Sequence, residues 1–193
     1  LLEALDLENV TLVVNDWGGP VGLSFAIEHP ERVRNVVVTN SWCWPVDDEW
    51  YYRLFSGFVG GPVGRWLVRK HNVFARNLVP RLYGDKTRLT PEIHRHITAH
   101  LADPGQREGC WIFARSIIGS TDWLRELWSR RSALEGKVRL LAWGMKDIAF
   151  REKELLHWSE AFPEAEVARF SDVGHFVAEE APERLAGEME RVL

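Results

Sequence analysis

Long apolar runs, clustered cations and cysteines are all scarce in this sequence, and each shortage removes a class of function. No stretch approaches the roughly 18 consecutive apolar residues that a membrane-spanning helix needs. The opening LLEALDLENV lacks the basic, apolar and small-residue succession of a secretory leader. Cys43 and Cys110 are the only cysteines, so a disulfide framework is not expected and a reducing, cytoplasmic setting is. The balance of 24 Lys and Arg against 28 Asp and Glu leaves a net charge of −4 and a pI near 6.0. Nucleic acid, whose phosphates are held by clustered cations that release counterions, is therefore not an expected partner, and neither is a membrane. Repeats, low-complexity tracts and linkers are missing too, which fits one domain of 193 residues, or one domain carrying a large insertion.

What is present has two textures. Residues 10–14 (VTLVV), 33–39 (VRNVVVT), 138–143 (VRLLAW) and 166–170 (EVARF) are short runs of strand-forming residues. The first two lack polar alternation, the habit of parallel strands covered on both faces. Between them lies GGPVGLSFAIEHP, where a glycine pair turns the chain, Pro20 suits a first helical turn and Pro30 stops the helix near residue 29. A strand, helix and strand in that order predict a parallel, right-handed crossover. Residues 44–135 are instead aromatic, Arg-rich and helical in period. Trp123, Leu124, Leu127 and Trp128, for example, fall on one helix face. The expectation is an α/β core formed by residues 1–43 and 136–193, with residues 44–135 as a helical cap over the carboxyl ends of the strands, where open α/β sheets bind ligands.

Three polar residues stand at strand ends. Asp16, in Val14-Asn15-Asp16-Trp17-Gly18-Gly19, occupies the turn between the first strand and the first helix. A nucleophile elbow has this form, with small neighbours permitting a sharp turn that lifts one side chain to the top of the sheet. A carboxylate at that apex can attack an sp³ carbon and form an alkyl ester. The alternative is a plain helix cap, for which Asp is also favoured. His175, in Asp172-Val173-Gly174-His175-Phe176, follows the last strand, and Gly174 permits close backbone approach. Asp147, in Trp143-Gly144-Met145-Lys146-Asp147, follows the third strand and can accept the Nδ1 proton of that histidine. Taken singly, the last two also read as a structural His and a surface-turn Asp; the order nucleophile, acid, His is what joins them.

These runs, VVNDWGGPVGLSFAIEHPERV, WGMKDIAF and DVGHFV, resemble the α/β-hydrolase fold, and within it the haloalkane dehalogenases with NDWGG at the elbow. The resemblance implies Asp16 as nucleophile, His175 as general base, Asp147 as supporting acid, and Trp17 as both halide donor through its indole and oxyanion donor through its backbone N–H. The implied substrate is a small halogenated or otherwise apolar molecule, with water as co-substrate, halide as product and no cofactor or metal; a homo-oligomer is compatible with it. Some relatives carry the acid one strand earlier, where this sequence has Asn40, in keeping with an acid at Asp147. The family's early strands and its His-Gly loop, source of a second halide donor and a second oxyanion N–H, have no counterpart here. The resemblance thus implies a fragment, with four strands and the elbow strand at an exposed edge.

Other features support duller readings. An epoxide hydrolase would need two cap tyrosines, for which Tyr51, Tyr52 and Tyr83 are the candidates, but Asn15 stands where such enzymes usually have His. A third alternative is an inactive fragment that binds a partner through its unpaired edge. His94, His96 and His100 look like a metal cluster, yet only His96 and His100 share a helix face. Gly60-Gly61-Pro62-Val63-Gly64 lacks the Gly-Lys-Ser/Thr ending of a phosphate loop and reads as a bend between helices. Arg65-Trp66-Leu67-Val68-Arg69-Lys70 could meet a membrane surface or a partner, with a solvated helix the plainer reading. Trp42, Trp44, Trp50, Trp66 and Trp111 read as cap core.

Overall fold

In the computed structural model, which describes residue 2 and residues 4–193, four strands form one parallel sheet in the order β1 (Val10–Asp16), β2 (Val33–Ser41), β3 (Val138–Gly144), β4 (Glu166–Phe170). The strands fall where the β-branched runs predict. Helix α1 (Gly18–Glu28) crosses from β1 to β2, and its backbone lies so close to β1 that a Cβ on Gly22 would stand 2.9 Å from Val14 Cγ1. Between β2 and β3 lie five helices of at least two turns, α2 (Trp50–Val59), α3 (Pro62–His71), α5 (Pro91–His100), α6 (Glu108–Gly119) and α7 (Thr121–Ser129), with the short α4 (Val79–Leu82) after a π turn at Phe74–Leu78. Helix α8 (Glu152–Ala161) joins β3 to β4, and α9 (Val177–Glu180) and α10 (Pro182–Val192) close the described chain. The Gly60-Gly61 bend does separate α2 from α3.

The two-residue period of the strands divides the core. Val36, Val38, Leu141 and Trp143 join Leu23 of α1 and Leu155 and Trp158 of α8 in one cluster. Val37, Leu140 and Ala142 join Phe170, Val177 and Leu185 in another, under α9 and α10. Each fully buried Leu or Val contributes about 1.5–3 kcal/mol, so β2 and β3, apolar on both sides, anchor the fold.

The outer strand departs from the expected double coverage. Val14 is buried beneath α1, but Val13, pointing to the other face, is 48% exposed. As an edge strand with a helix on one side only, β1 has nothing over its second face among the described residues. The tryptophans divide as well. Trp42 and Trp44 are buried, whereas Trp50 and Trp66 are 74% and 53% exposed and are not core. On α7, Leu124 and Leu127 are buried while Trp123 is partly exposed.

Candidate active site

The turn after β1 is built by backbone strain and close packing. Asp16 has φ of 48°, in the left-handed region that non-glycine residues avoid unless their surroundings enforce it. Three contacts enforce it. Ser41 Oγ donates to Asp16 O at 2.7 Å, Asn15 Nδ2 reaches the carbonyls of Thr39, Asn40 and His175 at 3.2 Å each, and Gly19 lets α1 approach Ser41, whose Oγ would lie 1.9 Å from an added Cβ. Gly18, expected to matter in the same way, faces open space. The N-cap position of α1 is held by Trp17 and not by Asp16, so the plain helix-cap alternative is not supported; the Asp16 carboxylate projects from the turn beside the helix's unpaired first amides.

His175 reaches that carboxylate. Its Nε2 stands 3.2 Å from Asp16 Oδ2, while its Nδ1 stands 2.8 Å from Asp147 Oδ2. The expected close approach at Gly174 is present: a Cβ there would lie 2.1 Å from Leu82 O, and His175 N donates to the same carbonyl at 2.9 Å. His175 is 2% exposed and the Asp147 side chain is fully buried, whereas the Asp16 side chain is 42% exposed. Burial alone would depress the imidazole pKa, but hydrogen bonds and charge from Asp147 and Asp16 outweigh it and push the group up to about 10. Flanked by the two carboxyl groups, the imidazole therefore favours its protonated form.

Asp147 is held in turn. Asn40 Nδ2 donates to its Oδ2 at 2.9 Å, and Ala149 N donates to its Oδ1 at 2.7 Å. Asn40, at φ of 28°, also exchanges hydrogen bonds with the Gly144 backbone. Sequence reasoning noticed Asn40 only as a non-acid and Asn15 only as a non-His; both prove to be clamps. It missed Glu180, whose buried carboxylate accepts from the amides of Gly84, Asp85 and Gly174 and so ties the histidine loop to the helical segment. Asn, Asp and Glu side chains used in this way leave no periodic or spacing signal.

Asp16, Trp17 and His175 open onto a cavity of about 430 Å³ whose other walls are chiefly aromatic and aliphatic, including Trp42, Tyr51, Phe55, Phe113 and Phe150. Trp17 meets Trp42 edge-on at 4.7 Å and stacks on Phe113 at 5.6 Å. Phe150 stacks on the His175 ring at 5.7 Å. Two of the three tyrosines line this space, but their hydroxyls are engaged: Tyr51 donates to Ile148 O at 3.1 Å, and Tyr52 to Ala149 O at 3.2 Å and Glu154 Oε1 at 2.8 Å. Tyr83 instead pairs with Glu179. The histidines of α5 also lie elsewhere: His96 and His100 bond to each other, and His94 to Ala75 O. No group of three or more His, Cys, Asp or Glu is placed to hold a metal ion among the described residues.

The alpha/beta hydrolase fold family matches residues 1–182. The chain belongs to that family. Among the relatives of this α/β hydrolase is haloalkane dehalogenase 2 of Mycobacterium tuberculosis (strain ATCC 25618 / H37Rv), 32% identical over 187 residues, covering 96% of this chain and 64% of the relative. Another is the cis-3-alkyl-4-alkyloxetan-2-one decarboxylase of Shewanella oneidensis, 30% identical over 193 residues, covering 96% and 60%. Among solved structures, the haloalkane dehalogenase DatA from Agrobacterium tumefaciens C58 superposes with a TM-score of 0.83 at 26% identity, over 98% of this chain and 68% of that one. The α/β hydrolase described here thus spans a little under two thirds of the length of the curated relatives it matches.

Proposed function

We propose that this chain carries the catalytic centre for hydrolytic cleavage of carbon–halogen bonds in small apolar molecules, under a helical cap formed by residues 44–135. The observation that carries the reading is His175 held between Asp16 and Asp147, with the Asp16 carboxylate facing an aromatic cavity. Asp16 attacks the halogen-bearing carbon. A carbon–oxygen bond forms, the carbon–halogen bond breaks with its electron pair leaving on halide, and the Trp17 indole N–H takes over solvation of the departing anion. A wall with few polar groups suits this step, since donors placed in a dry pocket substitute for water.

Ester formation removes the charge of Asp16, one of the two carboxylates holding the His175 pKa up. The imidazole then releases its proton more readily and becomes a base. His175 Nε2 takes a proton from water as its oxygen attacks the ester carbonyl of Asp16, and the acyl carbon–oxygen bond then breaks, the imidazolium returning the proton to the leaving alkoxide to give the alcohol and the free carboxylate. Asp147, fixed by Asn40 and Ala149, keeps Nδ1 protonated and stabilises the imidazolium. The Trp17 backbone N–H at the start of α1 serves the oxyanion.

The decarboxylase relative supports a second reading on the same residues. Attack of Asp16 on the ring carbon bearing oxygen in an oxetan-2-one would expel a carboxylate; loss of CO2 with departure of the Asp16 carboxylate would then leave an alkene. Epoxide hydrolysis is less well supported, because Tyr51 and Tyr52 already donate their hydroxyl protons to protein acceptors. Incubation with a bromoalkane distinguishes the readings: the chain should release bromide and alcohol, and Asp16→Ala should not. Turnover of an oxetan-2-one to alkene and CO2 without bromide release from the haloalkane would favour the second.

A further inference from the structure

From Trp50 to Gly84 the sequence contains no Asp or Glu, yet it carries Arg53, Arg65, Arg69, Lys70, Arg76 and Arg81. In a chain of net charge −4, this is a local reversal of sign. The same segment presents Trp50, Leu54, Phe58, Val63 and Trp66 to solvent. On α2 the exposed apolar positions recur at i, i+4 and i+8 with Arg53 beside them, and the opposite side, Tyr51, Tyr52 and Phe55, lines the catalytic cavity. Helix α3 repeats the pattern, with Val63 and Trp66 exposed among Arg65, Arg69 and Lys70.

Helices α2, α3 and α6 pack against one another, which leaves the exposed sides of the neighbouring α2 and α3 outside that packing. Glu108 of α6 neutralises part of the charge through Arg65 and Arg69. Arg53, Lys70 and Arg76 have no carboxylate partner among the described residues, and Lys70 lies over the Trp66 ring at 5.6 Å. The face starts above the loop after β3, where Tyr51 and Tyr52 bind Ile148 and Ala149, which is two strands from the unpaired edge of β1.

We propose that this α2–α3 face docks on an anionic phospholipid surface. Interfacial Trp, Phe, Leu and Val interleaved with unpaired Arg and Lys is the chemistry of in-plane amphipathic helices, which sink an apolar side into the headgroup boundary while cations meet lipid phosphates. No helix among the described residues is long and apolar enough to cross a membrane, so the association is peripheral. Because α2 is both the docking helix and a wall of the cavity, substrate dissolved in the bilayer would meet the protein at the helix that roofs its site.

Sedimentation of the chain with extruded vesicles tests this, using phosphatidylcholine alone and phosphatidylcholine mixed with phosphatidylglycerol. Binding to the mixed vesicles is expected, weaker at high salt and roughly fivefold weaker for each of Arg53→Glu and Lys70→Glu. Trp66→Ser with Phe58→Ser should reduce it further, and Asp16→Ala should leave it unchanged, which separates this proposal from the catalytic one. All the substituted surface positions are exposed, and circular dichroism checks that each variant is folded. Failure to sediment with either vesicle overturns the proposal, as does equal binding to neutral vesicles. Self-association that is abolished by Trp66→Ser, without vesicle binding, would assign the face to a second copy of the chain instead.

Discussion

Asn40 donates its side-chain amide to the same Asp147 oxygen that faces His175, at 2.9 Å, so the acid is fixed by β2 and not only by its own loop. Removing this donor in Asn40→Ala leaves a buried carboxylate oxygen and the Gly144 amide short of partners. The expected cost is about 1–3 kcal/mol of stability, read by urea denaturation, with a fall in turnover because the histidine loses its fixed orientation. Asn40→Asp should be worse, since it sets a second carboxylate against the first.

Stability should depend on pH through His175. Its pKa is 6.5 in an ordinary setting and about 10 in the fold. Below about pH 6.5 folded and unfolded chains both hold the proton, and the stabilisation from the two carboxylates is fully present. Between those values only the folded chain binds it, so unfolding releases a proton and stability falls as pH rises toward about 10, by an amount on the order of a few kcal/mol. Chemical denaturation across this range should show a downward slope that is much flatter in His175→Gln.

The glycines of the site are not equivalent. A Cβ at Gly144 would lie 1.8 Å from the Gly174 carbonyl oxygen, a backbone atom that cannot rotate away, whereas Gly18 has nothing within 4 Å. Gly144→Ala is expected to lower the melting temperature strongly, with an overpacking cost of about 1–3 kcal/mol or more. Gly18→Ala should melt with the parent chain, although both glycines sit in the motifs that point to the site.

Tyr52 anchors the cavity roof to the core through Glu154, which is buried and also accepts from Arg151 N at 2.7 Å. Burial, with Glu154 adding to it, pushes the Tyr52 phenol well above its usual range, so the hydroxyl remains a donor across the working pH range. Tyr52→Phe should cost about 1–3 kcal/mol by leaving the buried carboxylate underbonded. If an unengaged Tyr52 hydroxyl served an epoxide, its removal would instead abolish epoxide turnover with little loss of stability.

The sheet and the three polar strand ends are legible in the sequence because each of those ends follows a short run of strand-forming residues and lies within a few positions of a glycine. The supports are not legible in the same way. Asn15 reaches His175 across 160 positions, Asn40 reaches Asp147 across 107, and Glu180 meets Gly84 across 96; only folding brings such pairs together. The expected place of β1 at an open edge matches the sheet order, whereas the double coverage suggested by its apolar run fails on the Val13 face, because such a run looks the same at an edge as at the centre of a sheet. Trp50 lies outside the core: α2 carries aromatics on both sides, so periodicity does not say which side turns inward, and Trp66 of α3 is likewise turned to solvent.

The central claim is that Asp16 becomes alkylated and that His175 then drives release. His175→Gln, incubated with a 1-bromoalkane, should liberate no more than one equivalent of bromide and gain the mass of one alkyl group, mapped by peptide fragmentation to Asp16. Finding the folded variant unmodified, or finding the same adduct in Asp16→Ala combined with His175→Gln, would contradict the account.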